Sequence, residues 1–370
     1  IISGPFWKRW LLNDLVYPIC KNPLMLSLNC PLPKLNFDTI NLGHGSGGKL
    51  TNQLLDSGVF ELLSNEWLDQ RHDGAIIDCH GPIAFTTDSF VINPIFFPGG
   101  SIGELAINGT VNDLAMCGAI PKHLSLSFII EEGLPMTELW EILLGIRAAC
   151  QEAGVYIVTG DTKVVERGKG DKIFINTTGL GQLHAAAKID AQRIEAGDAI
   201  LVSGQLATHG MAIMSVREGL DFDTEIVSDT RPLNHLVSQL LDQFGANIKL
   251  LRDPTRGGVA TVLNEIARDT KLGIDIRQRD LPLNDQVAGA CELLGLDPLY
   301  VANEGIFLAV VDQSVAEEVL SFMQQLQYGA HATQIGSVTT AHPQQVVQIS
   351  AIGGQRIVPM LIGEQLPRIC

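Results

Sequence analysis

The chain ends on a thiol: its last residues are Leu366, Pro367, Arg368, Ile369 and Cys370. A cysteine at the end of a tether can be loaded at one place and carried to another, which is the chemistry of a covalent carrier. A lone terminal cysteine is more often an exposed thiol with no task, so the rest of the chain must supply one. A prenylation signal is a poor alternative, because it needs three residues after the cysteine. The terminal carboxylate raises the thiol's pKa and Arg368 lowers it, so no net direction follows from these neighbours alone.

Carboxylates recur in turns at the ends of expected strands. They are Asp73 in His72-Asp73-Gly74, Asp88 in Thr86-Thr87-Asp88-Ser89, Asp113 in Asn112-Asp113-Leu114, Asp161 in Thr159-Gly160-Asp161-Thr162, and Asp253 in Asp253-Pro254-Thr255. Taken singly each reads as an Asx turn or a helix cap. Five together, flanked by small or hydroxyl residues, match what a magnesium-nucleotide site needs: hard oxygen ligands and a cation that screens phosphate from an acidic protein. Gly43-His44-Gly45-Ser46-Gly47-Gly48-Lys49 precedes an amphipathic stretch, and a glycine loop there lets backbone N–H groups approach phosphate oxygens. A plain turn is an equal reading of that string. Arg256-Gly257-Gly258 opens a helix and forms a second anion-site candidate, against a simple helix capped at Thr255. Lys163 and Glu304 stand in turns beside strand ends and, by themselves, read as solvated charges.

The elements that must position these groups alternate. Strands are expected at 83–87, 123–130, 155–159, 173–177, 199–203, 305–311 and 346–350. Helices are expected at 102–117, 137–153, 209–218, 257–270, 286–294 and 315–326. Within 137–153, Leu139, Ile142, Leu143, Ile146 and Cys150 share a face and Gly154 ends the helix, so Cys150 reads as core. Val259, Val262, Leu263 and Ile266 form the buried stripe of 257–270. A turn at Glu195-Ala196-Gly197-Asp198 divides the pattern into two α/β halves. The resulting domains are residues 39–195, 196–341 and a C-terminal segment 342–370 ending in a flexible tail.

With 370 residues, 46% hydrophobic, 18% charged and 37 glycines, the composition fits two α/β domains with many tight turns. A formal charge of -16 argues against nucleic acid and anionic membranes as partners. Seven scattered cysteines (Cys20, Cys30, Cys79, Cys117, Cys150, Cys291, Cys370) without a CxxC pair fit a reducing cytoplasm. No HExxH or paired zinc spacing occurs among nine histidines, and His72, Cys79 and His80 read as a surface loop. Residues 1–38 read differently: their apolar runs are too short to span a membrane, no secretory cleavage pattern follows, and they are expected to be a leader or an extended reading frame, with Met25 an alternative start.

In order, HGSGG (44–48), TTDS (86–89), FFPGGSIGELAINGTVNDLAMCGAIP (96–121), TGDTKVVERG (159–168), SGQLATHG (203–210), RDPTRGGV (252–259), ANEG (302–305) and PRIC (367–370) resemble the HypE family of hydrogenase maturation factors. That family lies within the ATP-dependent superfamily of aminoimidazole ribonucleotide synthetase, selenophosphate synthetase and thiamine monophosphate kinase. The resemblance runs from about Asn41 to Cys370. It implies a two-domain aminoimidazole ribonucleotide synthetase-like α/β fold, mixed sheets packed with helices, and a carbamoyl dehydratase. On that resemblance a HypF-like partner would load a carbamoyl group on Cys370, the tail would enter the site, ATP would phosphorylate the carbamoyl oxygen, and loss of phosphate would leave a thiocyanate for the iron of [NiFe] hydrogenase. The resemblance also implies a homodimer through the amino-terminal halves and HypC/HypD-like partners.

By motif, Asp73, Asp88, Asp113 and Asp253 are expected at Mg2+, with Asp73 the loosest match. His44, Gly45, Ser46, Gly47, Gly48, Asn112 and Asp161 are expected at ATP. Glu304 is assigned as base, Lys163 as stabiliser of developing negative charge, and Arg256 as a holder of the transferred phosphate or of the tail. Two other functions compete. A small-molecule phosphotransferase or ATP-dependent ligase of the same fold explains the acidic loops but gives PRIC no task, and a selenophosphate enzyme is expected to carry Cys and Lys where this loop has His44 and Ser46. A non-catalytic carrier that presents Cys370 to a metal-assembly partner predicts no ATP consumption.

Overall fold

Alternating burial along Ile83–Phe90, with Thr86, Asp88 and Phe90 turned inward and Phe85 and Thr87 outward, makes this segment a strand with one covered face. The computed structural model describes residues 37–220, 225–363, 366 and 368–370. The expectations for residues 1–38, including the start at Met25, lie outside the described residues but for Phe37 and Asp38.

The first half contains α1 (Lys49–Leu54), α2 (Phe60–Leu63), β1 (Ile83–Phe90), a short hairpin of β2 (Phe96–Phe97) and β3 (Gly100–Ser101), α3 (Ile102–Met116), β4 (Ala119–Glu131), α4 (Met136–Ala153), β5 (Tyr156–Val165) and β6 (Ile173–Leu183). Its sheet runs β1-β6-β4-β5, antiparallel except for the β4/β5 pair. Ser101 starts α3 by accepting from Gly103 N at 3.0 Å while Glu104 Oε2 accepts from Ser101 N at 3.0 Å, a reciprocal capping box. Helix α3 is the centre of this half. Ile102, Leu105, Ile107, Val111 and Leu114 are fully buried between the sheet, α4 and the second half, each such burial contributing about 1.5–3 kcal/mol. On α4, Cys150 lies in the apolar stripe, where burial pushes its thiol up to about 12, and Gly154 closes the helix.

The second half contains β7 (Ala199–Val202), α5 (Thr208–Glu218), α6 (Asn234–Phe244), β8 (Ile248–Arg252), α7 (Gly258–Thr270), β9 (Gly273–Arg277), α8 (Asp285–Leu294), β10 (Leu308–Val311), α9 (Ala316–Met323), β11 (Thr333–Thr339), β12 (Val346–Ile349) and β13 (Gln355–Ile357). Its sheet runs β13-β12-β9-β11-β7-β10-β8, with β12 parallel to β9 and the other pairs antiparallel.

The sequence reading has no β8, β9, β11 or α6. These strands carry Lys249, Asp275 or Gly336 inside them, which breaks an apolar run. Lys249 is nonetheless buried and held by Asp198 at 2.8 Å. The strand expected at 305–311 is shorter at its start, because Glu304 and Gly305 are drawn into a loop by Asp229. Among the described residues, no helix is long and apolar enough to cross a membrane.

Candidate active site

Two cavities hold most of the residues that the sequence singles out, and they share no lining residue. The first, of about 200 Å³, is lined by Asp88, Asp113, Asp253, Arg256, Glu304 and Cys370, together with Gly109, Thr255 and the tail. Each group arrives on a different element. Asp88 comes from the end of β1, Asp113 from α3, Asp253 and Arg256 from the turn after β8, and Glu304 from the loop before β10.

The turn between β8 and α7 relies on glycine. Gly258 sits at φ 60, and a Cβ there would lie 2.5 Å from the Leu299 carbonyl oxygen. The helix starts at an uncapped Gly257, and Thr255 contributes its carbonyl to Gly258 N at 3.0 Å instead of a side-chain cap. The loop bearing Glu304 is fixed by Asn303, fully buried, which donates to the Pro254 and Val301 carbonyls at 2.9 and 3.0 Å and accepts from Ala207 N at 2.7 Å. Asp229 accepts from the Glu304 and Gly305 amides at 3.3 and 3.1 Å. Sequence reasoning missed both residues. Only the ANEG string pointed at Asn303, and nothing local marked Asp229.

Packing carboxylates into one half-buried space raises their proton affinity. Burial, then the charge of Asp113, pushes Asp253 up to about 7. Burial raises Asp88 and Asp113, with Thr86 Oγ1 donating to Asp113 at 2.8 Å against that trend. Burial and the surrounding aspartates, Asp253 foremost, hold Glu304 well above the usual carboxylate range. Its Oε1 is buried without a hydrogen-bond partner. The Cys370 thiol is also raised, first by burial and then by Glu304, with Arg256 opposing.

The tail, expected to be free in solvent, is seated at its described end. Cys370 O accepts from Val91 N at 3.2 Å, and Arg368 O from Asn93 N at 3.3 Å. The Arg368 guanidinium donates to Val91 O at 3.0 and 2.9 Å and pairs with Asp171. Ile369 is buried in the amino-terminal core.

The second cavity, of about 180 Å³, takes Gly45, Gly47, Thr51, Asp161 and Lys163, with an apolar wall that includes Phe60, Leu126 and Phe128. Gly45 packs on β5 so closely that a Cβ would lie 2.3 Å from Val164 N. Lys163 Nζ lies 2.6 Å from Asp161 Oδ1, and this exposed pair lowers the Asp161 pKa. The structure therefore separates Lys163 from Glu304.

The other residues expected at the nucleotide, His44, Ser46, Gly48 and Asn112, line neither cavity. His44 is buried and accepts from Asn41 N at 3.0 Å, its pKa lowered by burial. Ser46 Oγ donates to Gly43 O at 3.0 Å. Gly48 caps α1. Asn112 is buried, donating to the Arg231 and Glu304 carbonyls and accepting from Leu233 N at 2.8 Å, so it ties the two halves together. Asp73 is exposed and lines neither cavity.

Among the described residues no three acidic, histidine or cysteine groups form a ready cage for a metal ion. The donor set still suits Mg2+, which takes one or two carboxylates and completes its octahedron with water and phosphate oxygens. Repulsion among Asp88, Asp113 and Asp253 is what such a cation relieves.

Fold and site together define an AIR synthase related protein: the models for the N-terminal and C-terminal domains of that family match residues 71–183 and 195–348. Within this class the chain is 48% identical over 332 residues to the carbamoyl dehydratase HypE of Rhizobium leguminosarum bv. viciae, covering 90% of this chain and 95% of that one. A solved structure of the hydrogenase maturation protein HypE in complex with ATP superposes with a TM-score of 0.86 at 45% identity, covering 89% of this chain and 99% of that one. A solved HypE–HypF complex superposes with a TM-score of 0.74 at 45% identity, covering 85% of this chain and 100% of that one. The chain belongs to the HypE family.

Proposed function

We propose that the protein is an ATP-dependent carbamoyl dehydratase that converts a carbamoyl group on the Cys370 sulfur into a thiocyanate, the source of cyanide for the iron of a [NiFe] hydrogenase. The observation that carries this reading is the C-terminal thiol seated with Glu304 and Arg256 in a cavity lined by Asp88, Asp113 and Asp253. It gives the terminal cysteine a task, which the small-molecule reading does not. Likeness at 45% identity to a HypE solved with ATP supports the nucleotide, and likeness to one solved with HypF supports a HypF-like carbamoyltransferase as the loading partner.

An amide oxygen is a poor leaving group at neutral pH. ATP would supply the phosphoryl group that makes it a good one, with Mg2+ held by Asp88, Asp113 and Asp253 neutralising phosphate charge. The chain's own residues then do four things. Cys370 keeps the carbon in place through its thioester-like bond. Arg256 holds the phosphate that departs as the C–O bond breaks. Of the two nitrogen-bound protons, one leaves to solvent as the oxygen is phosphorylated and Glu304 accepts the other at its unpartnered Oε1 as the C≡N bond forms; Glu304 must first release its own proton, after which its raised proton affinity makes it the stronger base. Seating Ile369 and Leu366 in apolar surroundings excludes water, which would otherwise hydrolyse the activated carbamoyl group. For Lys163 to stabilise charge at this centre, bound nucleotide must join the two cavities.

The reading extends to a homodimer through the amino-terminal halves. The open face of β1-β6-β4-β5 exposes Ile83, Phe85, Ile120, Ile129 and Tyr156, more apolar surface than a lone sheet face favours. HypC/HypD-like acceptors for the cyanide and a reducing cytoplasm complete it, in keeping with the unpaired state of Cys79, Cys117, Cys150, Cys291 and Cys370.

The test is to load the protein with a carbamoyl group, add MgATP and weigh the C-terminal peptide. Loss of one water mass on Cys370 is the expected result. An unchanged peptide with ATP consumed favours a small-molecule phosphotransferase, and no ATP consumption favours a plain carrier.

A further inference from the structure

Two residues to which the sequence reading gave no role hold the tail in its seat, and both come from α5. His209, in the first turn, is fully buried with both ring nitrogens engaged: Nδ1 lies 2.7 Å from Ser228 Oγ and Nε2 2.8 Å from the Ile369 carbonyl oxygen. A carbonyl can only accept, so Nε2 carries the hydrogen, and Nδ1 accepts from the Ser228 hydroxyl. Ser228 Oγ also accepts from Thr230 N at 3.1 Å, which fixes the hydroxyl's direction. Phe97 stands edge-on to the imidazole at 5.6 Å, so the ring has little freedom to turn.

Arg217, in the last turn, donates to two carbonyls at once, Asn93 O and Arg368 O. Asn93 belongs to the segment whose amides pair with the tail. One guanidinium thus staples the tail to the strand extension it lies on. The helix carrying both residues belongs to the second half, while residues 91–93 belong to the first, so the seat closes only when the two halves are in register.

We propose that His209 and Arg217 are positioning residues that latch the C-terminal tail into the acidic cavity through its backbone carbonyls, independently of what the Cys370 sulfur carries. The contacts fall on Arg368 and Ile369, two and one residues short of the cysteine, and leave its side chain to the cavity. The same latch therefore accepts the free thiol, the loaded thiol and the product. Arg217 and Arg368 are like charges, and repulsion between them joins burial in lowering the Arg217 pKa. Asp171 pairs with Arg368 and offsets part of that repulsion.

The docking part of the inference stands without the dehydratase reading; the link to turnover rests on it. The experiment is iodoacetamide alkylation of the full chain without nucleotide, followed by peptide mass, with exposed Cys79 as the fast internal reference and buried Cys150 as the slow one. Arg217→Ala and His209→Asn are each expected to raise the Cys370 rate about tenfold, the effect of losing one good hydrogen bond on a docked–undocked balance. Cys150 should stay as slow as in the unchanged protein, and Arg217→Lys, which keeps one donor, should fall between. A Cys370 rate that does not move, or that rises only together with Cys150, overturns the latch. In carbamoyl-loaded protein given MgATP, both variants should slow water loss by a similar factor at unchanged ATP affinity. If the unchanged protein never loses water yet the alkylation rates respond, the reaction assignment fails and the latch stands.

Discussion

The two cavities are built on opposite electrostatic plans. The glycine-loop cavity is open, and its charged residues, Asp161 and Lys163, satisfy each other at the surface. The tail cavity collects Asp88, Asp113, Asp253 and Glu304 beside Arg256 and leaves them protonated more readily than carboxylates in water. An open site with paired charges can take up a large polar ligand at little structural cost. A strained acidic site stores repulsion that only a cation or protons relieve, which couples its state to what is bound.

That contrast is sharpest at the thiol. Replacing Cys370 with alanine should abolish thiocyanate formation altogether, since no atom remains to carry the carbon, while ATP affinity measured by calorimetry is kept. Glu304→Gln should slow dehydration about 10²- to 10⁴-fold in single-turnover mass measurements, the range for loss of a general base. A rate unchanged by this substitution would place proton transfer elsewhere.

The acidic cavity also sets a pH dependence. Asp253 binds its proton more tightly folded, at about 7, than the 3.8 of a free aspartate. Between these values the folded state holds more protons, so stability from this group is present at low pH and lost as pH rises from about 4 to about 7. Thermal melts of Asp253→Asn without nucleotide should show a flatter pH profile and a gain on the order of 2 kcal/mol at pH 8. An unaltered profile would mean that the repulsion is spread over the other carboxylates.

On the open side the effects shrink. Lys163→Ala breaks an exposed ion pair and should cost less than about 1 kcal/mol of stability, its effect appearing in nucleotide affinity instead. Asp73→Ala, away from both cavities, should leave ATP affinity within about twofold, as surface substitutions do. A larger loss there would show that the loop at residues 71–80 closes over the ligand.

Much of the tail cavity was legible because its residues sit in short strings with marked chemistry: Asp88 in TTDS, Asp253 and Arg256 in RDPTRGG, Glu304 in ANEG. The glycine loop was legible as a loop, but not that His44 would be buried and hydrogen-bonded to Asn41 N, nor that the Ser46 hydroxyl would bond to Gly43 O. Asn112 sat in a recognisable string, yet its amide serves backbone groups more than a hundred residues away. His209 was visible only as part of SGQLATHG, with no sign that its partners are Ser228 and Ile369. Strands β8 and β9 were missed because Lys249 and Asp275 interrupt their apolar runs and are satisfied by the distant Asp198 and His342, and β11 because Gly336 interrupts its run.

By itself the sequence determined which residues carry the side-chain types that phosphate, cation and carbamoyl chemistry would need, because these depend on residue identity and on the turns that glycine and proline impose locally. It also determined the helix faces, since apolar periodicity is a local property. Only the tertiary structure decided that the carboxylates face one another, that Lys163 is held apart from Glu304, and that the terminal thiol is docked. Those facts depend on separations of tens to hundreds of residues closing to a few ångströms, and on the burial that closure creates, neither of which any short window of sequence contains.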